Sequence, residues 1–375
     1  MSLGASHIAG KRKKLLTGGG VFACALLIAV GVFAANDWFP KTDALTGKKS
    51  GWFGTELPKN ATSAWNPFPP PSPTPQLSKE YIYAGQRLLA VEDANATIAP
   101  PADIAVWRGS NGNWMVMGQT GSAATTFSFG LGSLGDVPLV GDYDGDGKTD
   151  FSVFRSGPTS TFYVWPSGGG SYWGYNWGGG TDRLAVGDFD GDGKTDYAIA
   201  RPDTGAGVLT WWVTTSSNSS HFAVSWGIPT DETAVADYDG DGKADVAVFR
   251  ASDENFYIIR SSDLQVAVYN IGETGTVVSS DYDGDGKADP AIYVSSTATW
   301  YICQSTTNSV VSHQWGSSGN IPVQNDYDLD GKTDLAVWNN AASAQWTIKR
   351  SSNGTTRTET FGTTGDIPVP AFYRR

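Results

Sequence analysis

The sequence predicts an all-β protein assembled from repeated four-stranded units, and three observations predict it. A nine-residue acidic segment recurs five times almost verbatim, starting at Asp142, Asp188, Asp237, Asp281 and Asp326, at intervals of 46, 49, 44 and 45 residues. Between the copies lie short runs of β-branched and aromatic residues bounded by Gly, Ser or Asp, the composition of strands joined by tight turns. No stretch between the copies sustains the 3.6-residue period that a helical repeat requires.

The second unit shows the order of parts. Arg183–Val186 leads into the acidic segment and Tyr197–Arg201 follows it; Thr210–Val213 comes next, then Phe222–Trp226, which ends at Gly227. Four short strands in a repeat of this length fit the blade of a β-propeller. Six third strands carry Trp114, Phe162, Trp211, Phe256, Trp300 and Trp346, and six fourth strands end near Phe129, Trp177, Trp226, Ile271, Trp315 and Phe361. The repeat region opens on a post-loop strand, 103–108, and closes on a pre-loop strand, 367–373. Joined, these two would complete one blade and leave no unpaired edge, so six blades are expected. Arg87–Asp93 has the same pre-loop pattern, and a seventh, incomplete blade is the alternative.

Composition narrows the class. Of 375 residues 46 are glycine, aromatics make up 12% and charged residues 17%, which excludes both a disordered chain and a coiled coil. The net charge of −12 repels a phosphate backbone, so nucleic acid is excluded as a partner. Two distant cysteines, Cys24 and Cys303, make no disulfide framework, and three histidines leave little for a zinc or histidine-based centre.

The N-terminal part reads differently. Lys11-Arg12-Lys13-Lys14 precedes an apolar run, Leu15–Ala35, of 21 residues. Residues 1–36 are therefore a signal peptide or, as a hydrophobic helix, an uncleaved membrane anchor; either way the rest is exported, to the extracellular side, the cell surface or a periplasmic face. Residues 37–78 form a Pro-rich linker, densest at Trp65–Pro75, and 79–375 hold the repeats.

Each acidic segment places carboxylates at positions 1, 3, 5 and 9. They are Asp142, Asp144, Asp146 and Asp150 in the first, and Asp188, Asp190, Asp192 and Asp196 in the second. The third has Asp237, Asp239, Asp241 and Asp245; the fourth Asp281, Asp283, Asp285 and Asp289; the fifth Asp326, Asp328, Asp330 and Asp334. Glycine at position 6 permits the sharp turn that gathers them. Calcium takes six to eight hard oxygen ligands in a flexible shell and suits this spacing, whereas zinc would want nitrogen or sulfur. Position 12 is an apolar strand residue in every copy (Val153, Ile199, Val248, Ile292, Val337), which excludes an EF-hand. The five segments hold 20 of the 38 acids, and five bound Ca²⁺ ions would cancel ten of the twelve net negative charges. A loop with Kd of about 10⁻⁴ M in millimolar calcium contributes about 1.4 kcal/mol, and five approach the net stability of a domain, so the ions are expected to be structural.

On these segments, and on aromatic–Gly pairs such as Trp177-Gly178, Trp315-Gly316 and Phe361-Gly362, residues 79–375 resemble the FG-GAP/VCBS repeats of integrin-α-like propellers. The resemblance implies a β-propeller, loop-bound calcium and a role in adhesion or ligand binding.

Beyond the metal, Trp173, Trp177, Trp211 and Trp212 crowd one unit and are candidates for a carbohydrate platform, against the alternative of blade-to-blade packing. Arg108, Arg155, Arg201 and Arg250 recur after the post-loop strand and are expected to bond to the neighbouring blade, an acidic ligand being the alternative. No acid/base set remains once the loop aspartates are given to metal. The function expected is a non-catalytic cell-surface binding or adhesion module for a surface protein or glycan; the alternative is a polysaccharide lyase or hydrolase working in the propeller channel.

Overall fold

A computed structural model of the chain describes residues 80–84, 87–92, 101–118 and 123–373. The signal or anchor (1–36) and the Pro-rich linker (37–78) lie outside the described residues.

Two units are present. In the first, which ends at Ala94, Glu80–Ala84 pairs antiparallel with Arg87–Glu92 in a two-stranded sheet. The second, from Asn95 to the C-terminus, is a six-bladed β-propeller of four-stranded antiparallel sheets. The first described strand in a blade is Ala105–Arg108. Arg87–Glu92 takes no place in a blade. The closing strand is Ile367–Pro368, which pairs with Ala105–Arg108 and joins the two ends of the repeat region in the first blade. The ring closes at six blades.

Each blade runs from a short first strand, through a loop that is acidic in five of the six, to a second strand with a buried central run, then a third and a fourth. The third strands alternate between buried and half-exposed residues, the period of a pleated strand with one face against a neighbour. Their recurrent aromatics form the blade cores: Trp114, Phe162, Trp211, Phe256, Trp300 and Trp346 are all at most 1% exposed. The fourth strands are the outer edge, and none of their residues is buried.

Six apolar clusters hold the ring together, and each spans two adjacent blades. Four of the five position-12 residues meet the glycine of an aromatic–Gly pair in these seams; Ile292 does not. Gly130, Gly178, Gly227 and Gly316 end fourth strands with φ between 78° and 107°. A Cβ on them would lie 2.7, 3.3, 3.0 and 3.0 Å from Val153, Ile199, Val248 and Val337 of the next blade. Glycine is needed there twice over, for the left-handed backbone and for the close approach. Gly362 does the same against Val106, 3.2 Å away across the closure.

Candidate metal loops and the arginine staples

The acidic loops join first to second strands, so all five lie at one end of the propeller. Within a loop the carboxylates first organise the backbone. The position-1 carboxylate accepts the N–H groups of positions 4 and 6; for Asp142 these are Gly145 at 2.7 Å and Gly147 at 2.8 Å. Asp188, Asp237, Asp281 and Asp326 repeat the pattern. The position-5 carboxylate accepts the N–H of the lysine at position 7 in every loop.

Position 9 is different. Asp150, Asp196, Asp245, Asp289 and Asp334 are fully buried. One oxygen of each accepts the N–H of position 2. The other accepts a backbone N–H from the turn between third and fourth strands: Ser167, Ser216, Ser261, Ser305 or Ser351, at 2.6–2.8 Å. This carboxylate ties its loop to the blade. Burial pushes Asp150, Asp196 and Asp245 up to about 6, against the backbone donors that pull them down, and the neighbouring carboxylates push the same way. Asp289 and Asp334 are raised for the same reasons.

Carboxylate oxygens from three residues of every loop lie within 4.8 Å of one another. In the first and fourth loops these are positions 1, 3 and 5 (Asp142, Asp144, Asp146; Asp281, Asp283, Asp285). In the second, third and fifth they are positions 1, 3 and 9 (Asp188, Asp190, Asp196; Asp237, Asp239, Asp245; Asp326, Asp328, Asp334). The sets leave out Asp150 and Asp289 at position 9 and Asp192, Asp241 and Asp330 at position 5. The residues fit a hard cation. Asp283 Oδ1 and Asp328 Oδ1 are buried acceptors with no hydrogen-bond partner, which is costly without a cation to meet them.

The loops also bond to each other. The N–H of position 8 donates to the position-1 carbonyl of the preceding loop: Thr195 to Asp142, Ala244 to Asp188, Ala288 to Asp237 and Thr333 to Asp281, at 2.5–2.7 Å. The first blade completes the circle with a loop split between the chain ends. Ala102 donates to Asp326 and Thr149 donates to the carbonyl of Phe372, both at 2.9 Å. Asp103, bridged to Ala371, stands at position 9 of this split loop, and Tyr373 at position 2. Among the described residues the ring thus has six linked loops, five of which gather three aspartates each.

The recurrent arginines lie at the opposite end of the strands and correct the expectation made for them. Each binds an aspartate of its own blade, at the start of the first strand, instead of the neighbouring blade. Arg155 grips Asp136 at 2.6 and 2.8 Å, Arg201 grips Asp182 at 2.7 Å twice, and Arg250 grips Asp231 at 2.9 and 2.8 Å. Arg108 reaches Asp366 at 2.7 and 2.9 Å and so clamps the two ends of the propeller region together. The carboxylates are almost wholly buried and also accept the N–H of Leu131, Gly179, Ile228 or Thr363. Two-pronged, charge-assisted pairs of this kind are the strong ones. The fifth and sixth blades have neither partner: Gly275 and Val294 occupy the two places in one, Asn320 and Asn339 in the other.

The four tryptophans do not form a platform. Trp211 is 0% exposed, with its indole N–H bonded to the Trp226 carbonyl at 2.9 Å, because it is the recurrent third-strand core aromatic. Trp212, the next residue, points to the other face and is 40% exposed. Trp173 and Trp177 are half-buried; Trp173 donates to the Tyr197 hydroxyl at 2.7 Å, and Trp177 donates to the Trp212 carbonyl at 3.2 Å and stacks on His221.

Comparison with known proteins agrees with this architecture. A family model for the FG-GAP-like repeat matches residues 142–199 and 188–248. No curated protein matches the sequence. Among solved structures, TolB from Acinetobacter baumannii is similar at 15% identity with a TM-score of 0.51, over 72% of this chain and 66% of TolB. The chain therefore spans just under two thirds of TolB, and the likeness is one of fold. AofleA from Arthrobotrys oligospora aligns at 10% identity over 72% of this chain and 89% of its own, with a TM-score of 0.45. A virginiamycin B lyase from Staphylococcus aureus, in a catalytically inactive form with quinupristin, aligns at 11% identity over 63% and 73%, with a TM-score of 0.39. The chain is a six-bladed β-propeller, and two of its successive repeats, within residues 142–248, match the FG-GAP-like repeat.

Proposed function

We propose that this chain is an exported, calcium-stabilised propeller that serves as a non-catalytic binding or adhesion module at the cell surface, with a surface protein or a glycan as its partner. The observation that carries the reading is the loop end of the ring. Five loops each gather carboxylate oxygens from three aspartates, and two of the loops hold a buried oxygen with no donor. Calcium supplies the positive charge that such a cluster lacks, at the concentrations an exported protein meets. Because the same constellation recurs in five blades and is wired loop to loop, it suits holding the ring together better than one reaction at one place. The basic residues before the apolar run at Leu15–Ala35 support export, and the net charge of −12 argues against nucleic acid.

The test is retention of the full chain on intact cells and on polysaccharides, in calcium and in EGTA, with the polysaccharides assayed for cleavage. Calcium-dependent retention without cleavage is the expected result. Cleavage of a glycan would overturn the non-catalytic reading. Retention and melting temperature both unchanged in EGTA would remove calcium from it.

A further inference from the structure

We propose that a cavity between the fifth and sixth blades binds one neutral sugar unit of a glycan; this rests on the binding-module reading and names its ligand class. The cavity measures about 330 Å³ and is lined by Gln314, Trp315, Asn320, Asn339, Gln345 and Thr347, among others. That is the low end of the roughly 300–1,000 Å³ range of small-ligand sites.

The cavity lies where the sixth blade lacks the arginine–aspartate pair. In the second and fourth blades the corresponding space is filled by an arginine lying over a tyrosine, Arg155 4.9 Å from the ring centre of Tyr163 and Arg250 4.4 Å from that of Tyr257. Each arginine is also gripped by its aspartate. In the sixth blade the arginine place is held by Asn339, the tyrosine place by Thr347 and the aspartate place by Asn320. All three parts are shorter or uncharged.

What replaces the ion pair has the chemistry of hydroxyl recognition. Asn320 Oδ1 accepts the Ser317 N–H at 2.8 Å and Asn339 Oδ1 accepts the Gln345 N–H at 2.7 Å, so both carboxamides hold their NH₂ groups ready to donate. The side-chain amides of Gln314 and Gln345 at the rim offer both a donor and an acceptor. A sugar hydroxyl likewise donates and accepts. The lining includes no ionisable side chain, and the one charge beside it is the Lys349 ammonium, 5.8 Å from the centre of the Trp315 ring, so a cationic ligand meets no counter-charge and an anionic one meets only this single cation. The Trp315 indole N–H donates to the Thr347 carbonyl at 3.3 Å, which fixes the ring as an aromatic wall, with the Lys349 ammonium over one face and a sugar ring to be taken at the other.

The test uses the full chain in calcium on immobilised mannan, dextran, galactan and xylan, with alginate and polygalacturonate as acidic comparators and intact cells alongside. The double variant Asn320→Asp/Asn339→Arg rebuilds the pair that four blades of this chain already carry. It should melt no lower than the wild type and be retained at least tenfold more weakly on the neutral glycan that retains the wild type. Gln314→Ala, at an exposed strand end, provides the same readout should the double variant fold poorly. Trp212→Ala should change nothing. Equal retention of wild type, double variant and Gln314→Ala would overturn the site, as would a preference for the acidic glycans. Binding to cells with no neutral glycan retained would overturn the site and leave the module reading standing; binding to neither would overturn both.

Discussion

The fourth and sixth blades are copies of one repeat with opposite solutions at both ends. At the arginine end, the fourth blade is closed by Asp231, Arg250 and Tyr257, and the sixth is open around Asn320, Asn339 and Thr347. At the loop end, the fourth blade has Gly240 at position 4, with φ 79°, where the sixth has Leu329 with φ 61°. The shared parts are the seam and the core, Val248 and Val337 under the preceding blade's glycine, Phe256 and Trp346 within the blade. The difference teaches that the ring is held by its seams and loops, and that the arginine end is free to vary once neighbouring blades supply the clamp.

Calcium removal probes what the blades share and should give the largest effect. Five sites at about 1.4 kcal/mol each amount to roughly half or more of a domain's net stability, so EGTA should lower the melting temperature by on the order of 15 °C. A melting curve indifferent to calcium would show that the loops' own hydrogen bonds suffice.

The arginine end should separate the two blades. Arg250→Ala leaves the Asp231 carboxylate, 0% exposed, without its counter-charge, and should cost about 3 kcal/mol or more by chemical denaturation. Asn339→Ala removes a half-exposed amide from an already open site and should cost less than about 1 kcal/mol. Equal costs would mean that the sixth blade depends on its amides as the fourth does on its ion pair.

Next in size is a pH effect confined to the calcium-free protein. Asp150, Asp196 and Asp245 sit near 6 in the folded chain, above the ordinary carboxylate value of 3.8. A raised carboxyl makes the folded state bind more protons than the unfolded one between those values. Stability from these groups is therefore greatest below about 4 and is lost as pH rises through about 6. In EGTA the melting temperature should rise as pH falls from 7 to 5; with calcium bound the same interval should be nearly flat. A rise of equal size in calcium would place the titration outside the loops.

Much of this was legible in the sequence, for identifiable reasons. The acidic segments recur almost letter for letter, so repeat length and loop position followed from spacing, the count of six came from the third- and fourth-strand aromatics, and the aromatic–Gly pairs marked where fourth strands end. The closing strand was harder, since Arg87–Asp93 and 367–373 share a pattern and only pairing geometry separates them. Two readings failed although a signal was present. Trp211 belongs to the set of six recurrent third-strand aromatics, and strand alternation alone puts it inside and Trp212 outside. The arginine partners stand 19 residues upstream at Asp136, Asp182 and Asp231, a constant offset, and the aspartate is missing wherever the arginine is. The ring of loop-to-loop hydrogen bonds carries no such signal, because backbone groups make it and any residue supplies them.

The smallest expected effect concerns the one irregular loop, and the ring explains it. In the first four loops the position-4 glycine lies under the lysine stem of the next loop. A Cβ on Gly145, Gly191, Gly240 or Gly284 would stand 2.7–3.1 Å from Lys194, Lys243, Lys287 or Lys332. The fifth loop is followed by the split loop of the first blade, where Pro101 occupies the lysine place. A side chain at position 4 therefore meets no lysine there, and what remains is the cost of a left-handed backbone at a branched-chain residue, about 1–2 kcal/mol. Leu329→Gly relieves that cost but adds freedom to the unfolded chain, so it should stabilise by less than about 1 kcal/mol. Gly240→Leu adds both the backbone cost and the collision with Lys287, and should destabilise by more than the first change gains. If the two substitutions proved equal and opposite, the lysine contact would contribute nothing, and backbone conformation alone would set which loop can dispense with glycine.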